Sequence, residues 1–345
     1  MTDSLADSDL RRRALGAFYG LALGDALGMP TQSFSRADII SRFGSIDTLH
    51  DGPADQPIAP GMPAGSITDD TEQAVLVAEL LINGKGHIEP VAFARALTDW
   101  EADMKARGSQ DLLGPSTNRA LAMIAEGISP EQSGRFGTTN GAAMRITPVA
   151  IATPATPRET LLEAVIEASR VTHNTSLGIA SAAAVAGAIS AGLEGAPLDQ
   201  ALRVGHEMAV LGEQQGHWSA GGLISARIEW ARQLVRGRDQ ATGIALIHDL
   251  IGTSVAAQES VVATFALAEL AGEEPRSALT LAAGIGGDTD TIAAMLGAIL
   301  GACHGPEGLP AALVEQVARV SHFAPEPLVD QLLMLRQHHA PTHSG

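Results

Sequence analysis

The stretch Ser176-Leu-Gly-Ile-Ala-Ser-Ala-Ala-Ala-Val-Ala-Gly-Ala-Ile-Ser-Ala-Gly-Leu193 carries no charge and no aromatic ring. Alanine is the strongest helix former, and a helix that is small and apolar around its whole circumference belongs inside a protein. A bilayer-spanning helix needs about 20 mainly apolar residues, and here glycine and serine interrupt the run. The stretch therefore predicts a buried core helix, surrounded by other helices that approach it closely.

The remaining composition agrees. Hydrophobic residues make up 45% of the 345 but aromatics only 3%, so Ala, Leu, Ile and Val must fill the core. Helical periodicity recurs over Asp9–Leu27, Thr71–Ile82, Pro90–Ala106, Thr117–Ala125, Arg158–Arg170, Leu198–Leu211, Ser219–Arg236, Ala257–Ala271, Thr289–Ala302 and Pro310–Val320. Asn83-Gly84 and Gly195-Ala196-Pro197 provide stop signals. Strand patterning is confined to a short extended piece expected near Ile146–Ile151. The expected fold class is all-α. With no repeat or charge run to mark a boundary, residues 1–345 are expected to form a single domain. The segment from about Pro30 to Gly65, with Pro53, Pro57, Pro60 and Pro63, reads as one long irregular loop, and connections of that length tend to cover or line a site.

The formal net charge is −17, from 39 acidic and 22 basic residues. That balance opposes non-specific binding to nucleic acid or an anionic membrane and suits a cation-binding protein. Cys303 is the single cysteine, which excludes an intrachain disulfide framework and a thiolate metal cage. The opening residues contain no apolar signal segment, and a cytoplasmic location is expected.

Two acidic clusters carry the chemistry. Thr68-Asp69-Asp70-Thr71 lies where the long loop meets a helix, and Gly286-Gly287-Asp288-Thr289-Asp290-Thr291 where a glycine turn enters an apolar helix. Helix capping alone accounts for Asp and Thr at such places. A cap needs one side-chain oxygen, however, whereas each cluster supplies two carboxylates with flanking hydroxyls. Crowded carboxylates are costly unless cations neutralise them. If the clusters converge, their all-oxygen ligand set suits Mg²⁺, Mn²⁺ or Ca²⁺. Two such ions about 3.5–4 Å apart would orient a substrate and activate water.

Together with Gly20-Leu-Ala-Leu-Gly-Asp-Ala-Leu-Gly28, Asn140-Gly-Ala-Ala-Met-Arg145 and Thr172-His173, these clusters resemble the ADP-ribosylglycohydrolase family. The blocks stand in the family's order and span about four fifths of the chain. The resemblance implies an orthogonal, all-helical fold with a binuclear magnesium or manganese centre held by Thr68, Asp69, Asp70, Asp288, Asp290 and Thr291. It implies hydrolysis at the anomeric carbon of a bound ribose. That carbon gains oxocarbenium character, which nearby carboxylates and an oriented water stabilise.

The resemblance also implies that His173 contacts the ligand and that Asp111 positions or deprotonates water, with Asp69 and Asp290 sharing the catalytic role. Asn140 and Gly141 are expected to approach the ligand through backbone groups, with Met144 and Arg145 as support. Two positions depart from the family pattern. Gln32 stands where several members have a glutamate, and an amide cannot exchange a proton as a carboxylate does. Ala142 stands where a polar residue is common, removing a hydroxyl from the expected substrate-binding set. Trp218 is a candidate for stacking, and Gln258-Glu259-Ser260 a candidate polar lining; core packing and helix-start polarity are their plainer readings.

The expected function is metal-dependent hydrolysis of an ADP-ribosyl or smaller ribosyl conjugate. The alternative is a catalytically weak, metal-dependent binder of ADP-ribose or a nucleoside. The expected partner is a small molecule or an ADP-ribosylated substrate, with neither nucleic acid nor membrane involved.

Overall fold

The computed structural model describes residues 2–109 and 113–339, which contain 18 α-helices and no strand. In chain order these are α1 (Thr2–Gly28), α2 (Arg36–Phe43), α3 (Asp69–Asn83), α4 (Pro90–Ala106), α5 (Pro115–Ala125) and α6 (Pro130–Ser133). Next come α7 (Gly141–Met144), α8 (Thr147–Ala152), α9 (Arg158–His173), α10 (Ser176–Leu193), α11 (Leu198–Gly212) and α12 (Ile224–Val235). The last six are α13 (Gln240–Leu246), α14 (Ala257–Ala271), α15 (Pro275–Ala283), α16 (Thr289–His304), α17 (Ala311–Val320) and α18 (Glu326–His339).

Helix α10 is the centre of the core. Every one of its residues is buried, and two of its three serine hydroxyls donate to carbonyls: Ser181 to Gly178 at 2.8 Å and Ser190 to Thr153 at 2.8 Å. This is why an apolar helix of near membrane-spanning length sits inside a globule instead.

Helix α16 is the second apolar core helix, buried from Thr289 to Cys303. It meets α1 along a glycine seam. Gly16, Gly20, Gly24 and Gly28 recur every four residues on one face of α1, opposite Gly301, Gly297, Ala293 and Asp290. A β-carbon on Gly20 would lie 2.0 Å from the Gly297 carbonyl oxygen, and one on Gly297 would lie 2.0 Å from that of Gly20. At the far end of the seam, a β-carbon on Gly28 would lie 2.4 Å from the Asp290 Cα. Backbone thus meets backbone, with no side chain to yield. Gly20→Ala is expected to cost about 3 kcal/mol or more, read as a drop in the denaturation midpoint. A midpoint unchanged by this substitution would mean that the two helices do not touch as described.

The structure corrects three expectations. The long irregular segment contains α2, whose N-cap Ser35 accepts from the Asp38 N–H at 3.1 Å and which buries only Ile39. The piece near Ile146–Ile151 is helical, not extended: Pro148 lies in the first turn of α8, where its missing N–H costs nothing. Helix α12 begins at Ile224, not near Ser219, because Gly216 and Gly221 take positive φ values of 66° and 158° in the preceding turn.

Candidate active site

Two helix N-termini form the site. At one, Thr68 caps α3 in an extended backbone conformation. At the other, Gly286 and Gly287 adopt φ of +92° and +79° just before Asp288. A β-carbon on Gly287 would lie 2.4 Å from the Thr253 carbonyl oxygen, so only glycine lets the turn tuck in. The same turn is tied to the Gln32 segment, since Ser33 N–H donates to the Gly287 carbonyl at 2.7 Å and Gly287 N–H to that of Phe34 at 3.0 Å.

The two acidic clusters meet. Thr291 Oγ1 donates to Asp70 Oδ2 at 3.3 Å across 221 residues of sequence, and Thr68 Oγ1 lies 3.3 Å from the same oxygen. Asp69, Asp288, Asp290 and Thr291 line a cleft of about 380 Å³. Asp70 and Thr68 are buried directly behind them.

Beneath the clusters lies Asp25, fully buried on α1, a residue for which the sequence alone suggested no role. It accepts from the Thr68 N–H (2.9 Å) and Oγ1 (2.7 Å) and from the Thr71 N–H (3.2 Å) and Oγ1 (2.5 Å). It therefore anchors the first turn of α3 to α1. The available signal was a lone carboxylate in the otherwise apolar run Leu21–Leu27.

The electrostatics are those of uncompensated crowding. Burial first, and then the charges of Asp69, Asp290, Asp25 and Asp288, push the Asp70 carboxyl well above the usual carboxylate range. Burial, then Asp288, Asp69 and Asp25, do the same to Asp290. Burial raises Asp25 to about 6, against the opposing pull of its threonine donors. It also raises Asp288, against the pull of its hydrogen bond from the Asn140 amide.

Whether the residues fit a cation pair can be tested on the oxygens themselves. Asp70 Oδ1 and Asp290 Oδ1 are buried without a hydrogen-bond partner among the described residues. Buried unsatisfied carboxylate oxygens are expensive, and a hard cation is the partner that would satisfy them and offset the repulsion together. No three His, Cys, Asp or Glu side chains among the described residues form a metal-binding group by themselves. The fit therefore rests on a mixed set of carboxylates and threonine hydroxyls.

The remaining candidates divide. Gln32, Asn140 and Gly141 are on the cleft wall. The Gln32 Nε2 is buried without a partner among the described residues, leaving a donor at the cleft. Asn140 contributes differently from the expectation, because its backbone N–H is taken by the Val255 carbonyl at 3.0 Å. Its side-chain Nδ2 instead holds Asp288 Oδ2 at 2.5 Å and Ser260 Oγ at 2.9 Å.

Ala142 is buried in the hydrophobic core, so its missing hydroxyl removes nothing from the cleft wall. His173 is fully buried and stands behind the wall, 2.9 Å from Thr139 Oγ1. Met144 lines the cleft, whereas Arg145 is buried. Trp218 is 83% exposed and is not among the cleft residues. Asp111 lies outside the described residues. Thr139 and Thr117 line the cleft and were not anticipated.

The sequence model describing ADP-ribosylglycohydrolases matches residues 6–342. The chain belongs to the ADP-ribosylglycohydrolase family. An Escherichia coli K12 relative, the uncharacterized protein YegU, is 34% identical over 312 residues, covering 90% of this chain and 93% of that protein. The ADP-ribosyl-[dinitrogen reductase] glycohydrolase of Rhodospirillum rubrum is 27% identical, covering 94% and 96%. The ADP-ribosylarginine hydrolase Tri1 of Pseudomonas putida is 27% identical, covering 93% and 80%. A solved structure described as an ADP-ribosylglycohydrolase-related protein complex shares the fold, with a TM-score of 0.67 and 24% identity over 96% of this chain and 99% of that one. The all-helical fold is thus shared over 96% of this chain. In this family member both acidic clusters open onto the same cleft.

Proposed function

We propose that the protein is a metal-dependent N-glycoside hydrolase that cleaves the anomeric bond of an ADP-ribosyl or smaller ribosyl conjugate. The observation that carries this reading is the convergence of buried, mutually repelling carboxylates with partnerless oxygens at the edge of a cleft. Thr68, Asp69, Asp70, Asp288, Asp290 and Thr291 would hold two Mg²⁺ or Mn²⁺ ions. When bound, such ions supply positive charge that fixes substrate hydroxyls and makes water more acidic.

The protein's own groups define the rest of the chemistry. Asp69 and Asp290 line the cleft, where their carboxylates, once ionised beside bound cations, would stabilise an oxocarbenium-like carbon. Asn140 fixes Asp288 through its amide. Gln32 offers an N–H to a ligand oxygen but no exchangeable carboxyl proton. No Lys or Arg is among the described cleft-lining residues, which favours a conjugate with little negative charge over one carrying exposed phosphates.

The test is release of ribose or ADP-ribose from a panel of N-ribosides and ADP-ribosyl conjugates, with Mg²⁺, with Mn²⁺ and with EDTA. Activity that survives EDTA and both Asp69→Asn and Asp290→Asn would rule the mechanism out. Gln32 also favours a second reading, a catalytically weak binder; tight metal-dependent binding with the ligand intact after long incubation would support it. Under either reading Gln32→Ala is expected to weaken ligand binding about tenfold, since one hydrogen bond contributes about 1–1.5 kcal/mol. Calorimetry showing equal affinities would remove Gln32 from the ligand site.

A further inference from the structure

Behind the cleft wall runs a relay of hydrogen bonds that ends on a cleft-lining hydroxyl. Its origin is Arg145, at the C-terminus of α7 and 1% exposed. The guanidinium donates to Gln73 Oε1 at 2.7 Å and to Thr172 Oγ1 at 2.6 Å. Gln73 Nε2 in turn donates to Asp69 Oδ2 at 3.3 Å, so one branch ends on the acidic cluster. The other branch decides a proton position.

A guanidinium only donates, so Thr172 Oγ1 accepts from Arg145 and keeps its own proton for the nearest acceptor. That acceptor is His173 Nδ1, 2.8 Å away. With Nδ1 accepting, a neutral imidazole carries its proton on Nε2. Nε2 lies 2.9 Å from Thr139 Oγ1 and donates to it. The Thr139 hydroxyl then donates to Ser116 Oγ at 2.8 Å. One lone pair of Thr139 remains, and Thr139 lines the cleft. Burial, and then the charge of Arg145, hold the His173 pKa well below its usual value, which keeps the ring neutral. Gly141 allows the ring to sit this close to the cleft, since a β-carbon there would lie 2.9 Å from His173 Cε1.

We infer that Arg145 fixes His173 as its Nε2–H tautomer, so that Thr139 faces the cleft as a hydrogen-bond acceptor for a ligand hydroxyl or N–H rather than as a donor to a phosphate oxygen. The inference deepens the glycoside reading by naming the ligand chemistry on one wall, and it rests on that reading for the ligand. Arg145 and Thr172 are positioning residues, acting through His173.

The test separates the relay from the ligand. In ¹⁵N-labelled wild-type protein, long-range ¹H–¹⁵N correlation should show His173 protonated on Nε2. Thr172→Val removes the donor to Nδ1 and should erase the single-tautomer pattern, while Thr172→Ser should restore it. With ADP-ribose and Mg²⁺ as probe, Thr172→Val should weaken binding about tenfold and Thr172→Ser should not. A wild-type ring protonated on Nδ1, or a Thr172→Val ring indistinguishable from wild type, overturns the inference. If wild-type protein does not bind ADP-ribose, that result counts against the ADP-ribosyl reading, and the tautomer measurement decides the relay by itself.

Discussion

Asparagine in place of Asp290 should make the protein more heat-stable in EDTA and abolish the stabilisation that Mg²⁺ or Mn²⁺ gives the wild type. Asp290 is 3% exposed, one of its oxygens has no partner among the described residues, and Asp288, Asp69 and Asp25 all repel its charge. Amide for carboxylate keeps the shape and an acceptor but removes that repulsion, a gain on the order of 1–2 kcal/mol. The same change deletes a proposed cation ligand, and hydrolysis should fall by about 10²–10³-fold. The opposite signs are the diagnostic. Thermal scans with and without metal would check it. A variant that is destabilised in EDTA yet keeps the full metal-induced shift would show that Asp290 serves structure and not cations.

The second large effect is on pH. The melting temperature in EDTA should fall below that in Mg²⁺ by a widening margin as pH rises from about 4.5 to 6. A carboxyl whose folded pKa is raised binds more protons folded than unfolded, so stability drops as pH climbs through that folded value. Asp25 is raised to about 6, so its contribution is lost between the ordinary carboxylate value and about 6, and Asp70 and Asp290 are displaced in the same direction. His173 works in the other direction. Its lowered folded pKa means that the unfolded chain holds the extra proton, a contribution that is complete above about 6.5. The surface carboxyls lowered by arginine partners, Asp9 and Asp330 among them, lose their stabilisation only in acid. His173 titrates alike with and without Mg²⁺, so the margin between the two scans isolates the acidic cluster. A margin that stays constant from about pH 4.5 to 6 would show that the clusters are not crowded as described.

Part of this arrangement is legible in the amino-acid sequence. Ser176–Leu193 announces a core helix because eighteen uncharged, mostly small residues leave no face for water, and its bounds agree with α10. The two acidic turns stand out because carboxylates are rare beside apolar helices. That they face each other is beyond a single sequence, since the Thr291–Asp70 contact depends on how α3 and α16 pack. Asp25 is hidden for the same reason, as its partners belong to another helix.

His173 and Ala142 show a different limit. Chain position places both near the site, but which way a side chain points depends on rotation about an axis that spacing does not fix, and both point inward. Short elements fail for want of pattern. Helix α2 is only eight residues long, and the first turn of α8, with Pro148 and Val149, reads like strand until proline is recognised as a helix opener.

The glycine seam has a consequence for the ribosome. Its two halves, Gly16–Gly28 and Asp290–Gly301, are made more than 260 residues apart. At about 5–20 residues per second, α1 waits many seconds for the helix it must lie against. Until then its glycine face has no counterpart, and Asp25 and Asp69 have no Asp288 or Asp290 opposite them. A nascent chain arrested before α16 has emerged should therefore be unable to capture cations, however long it is held.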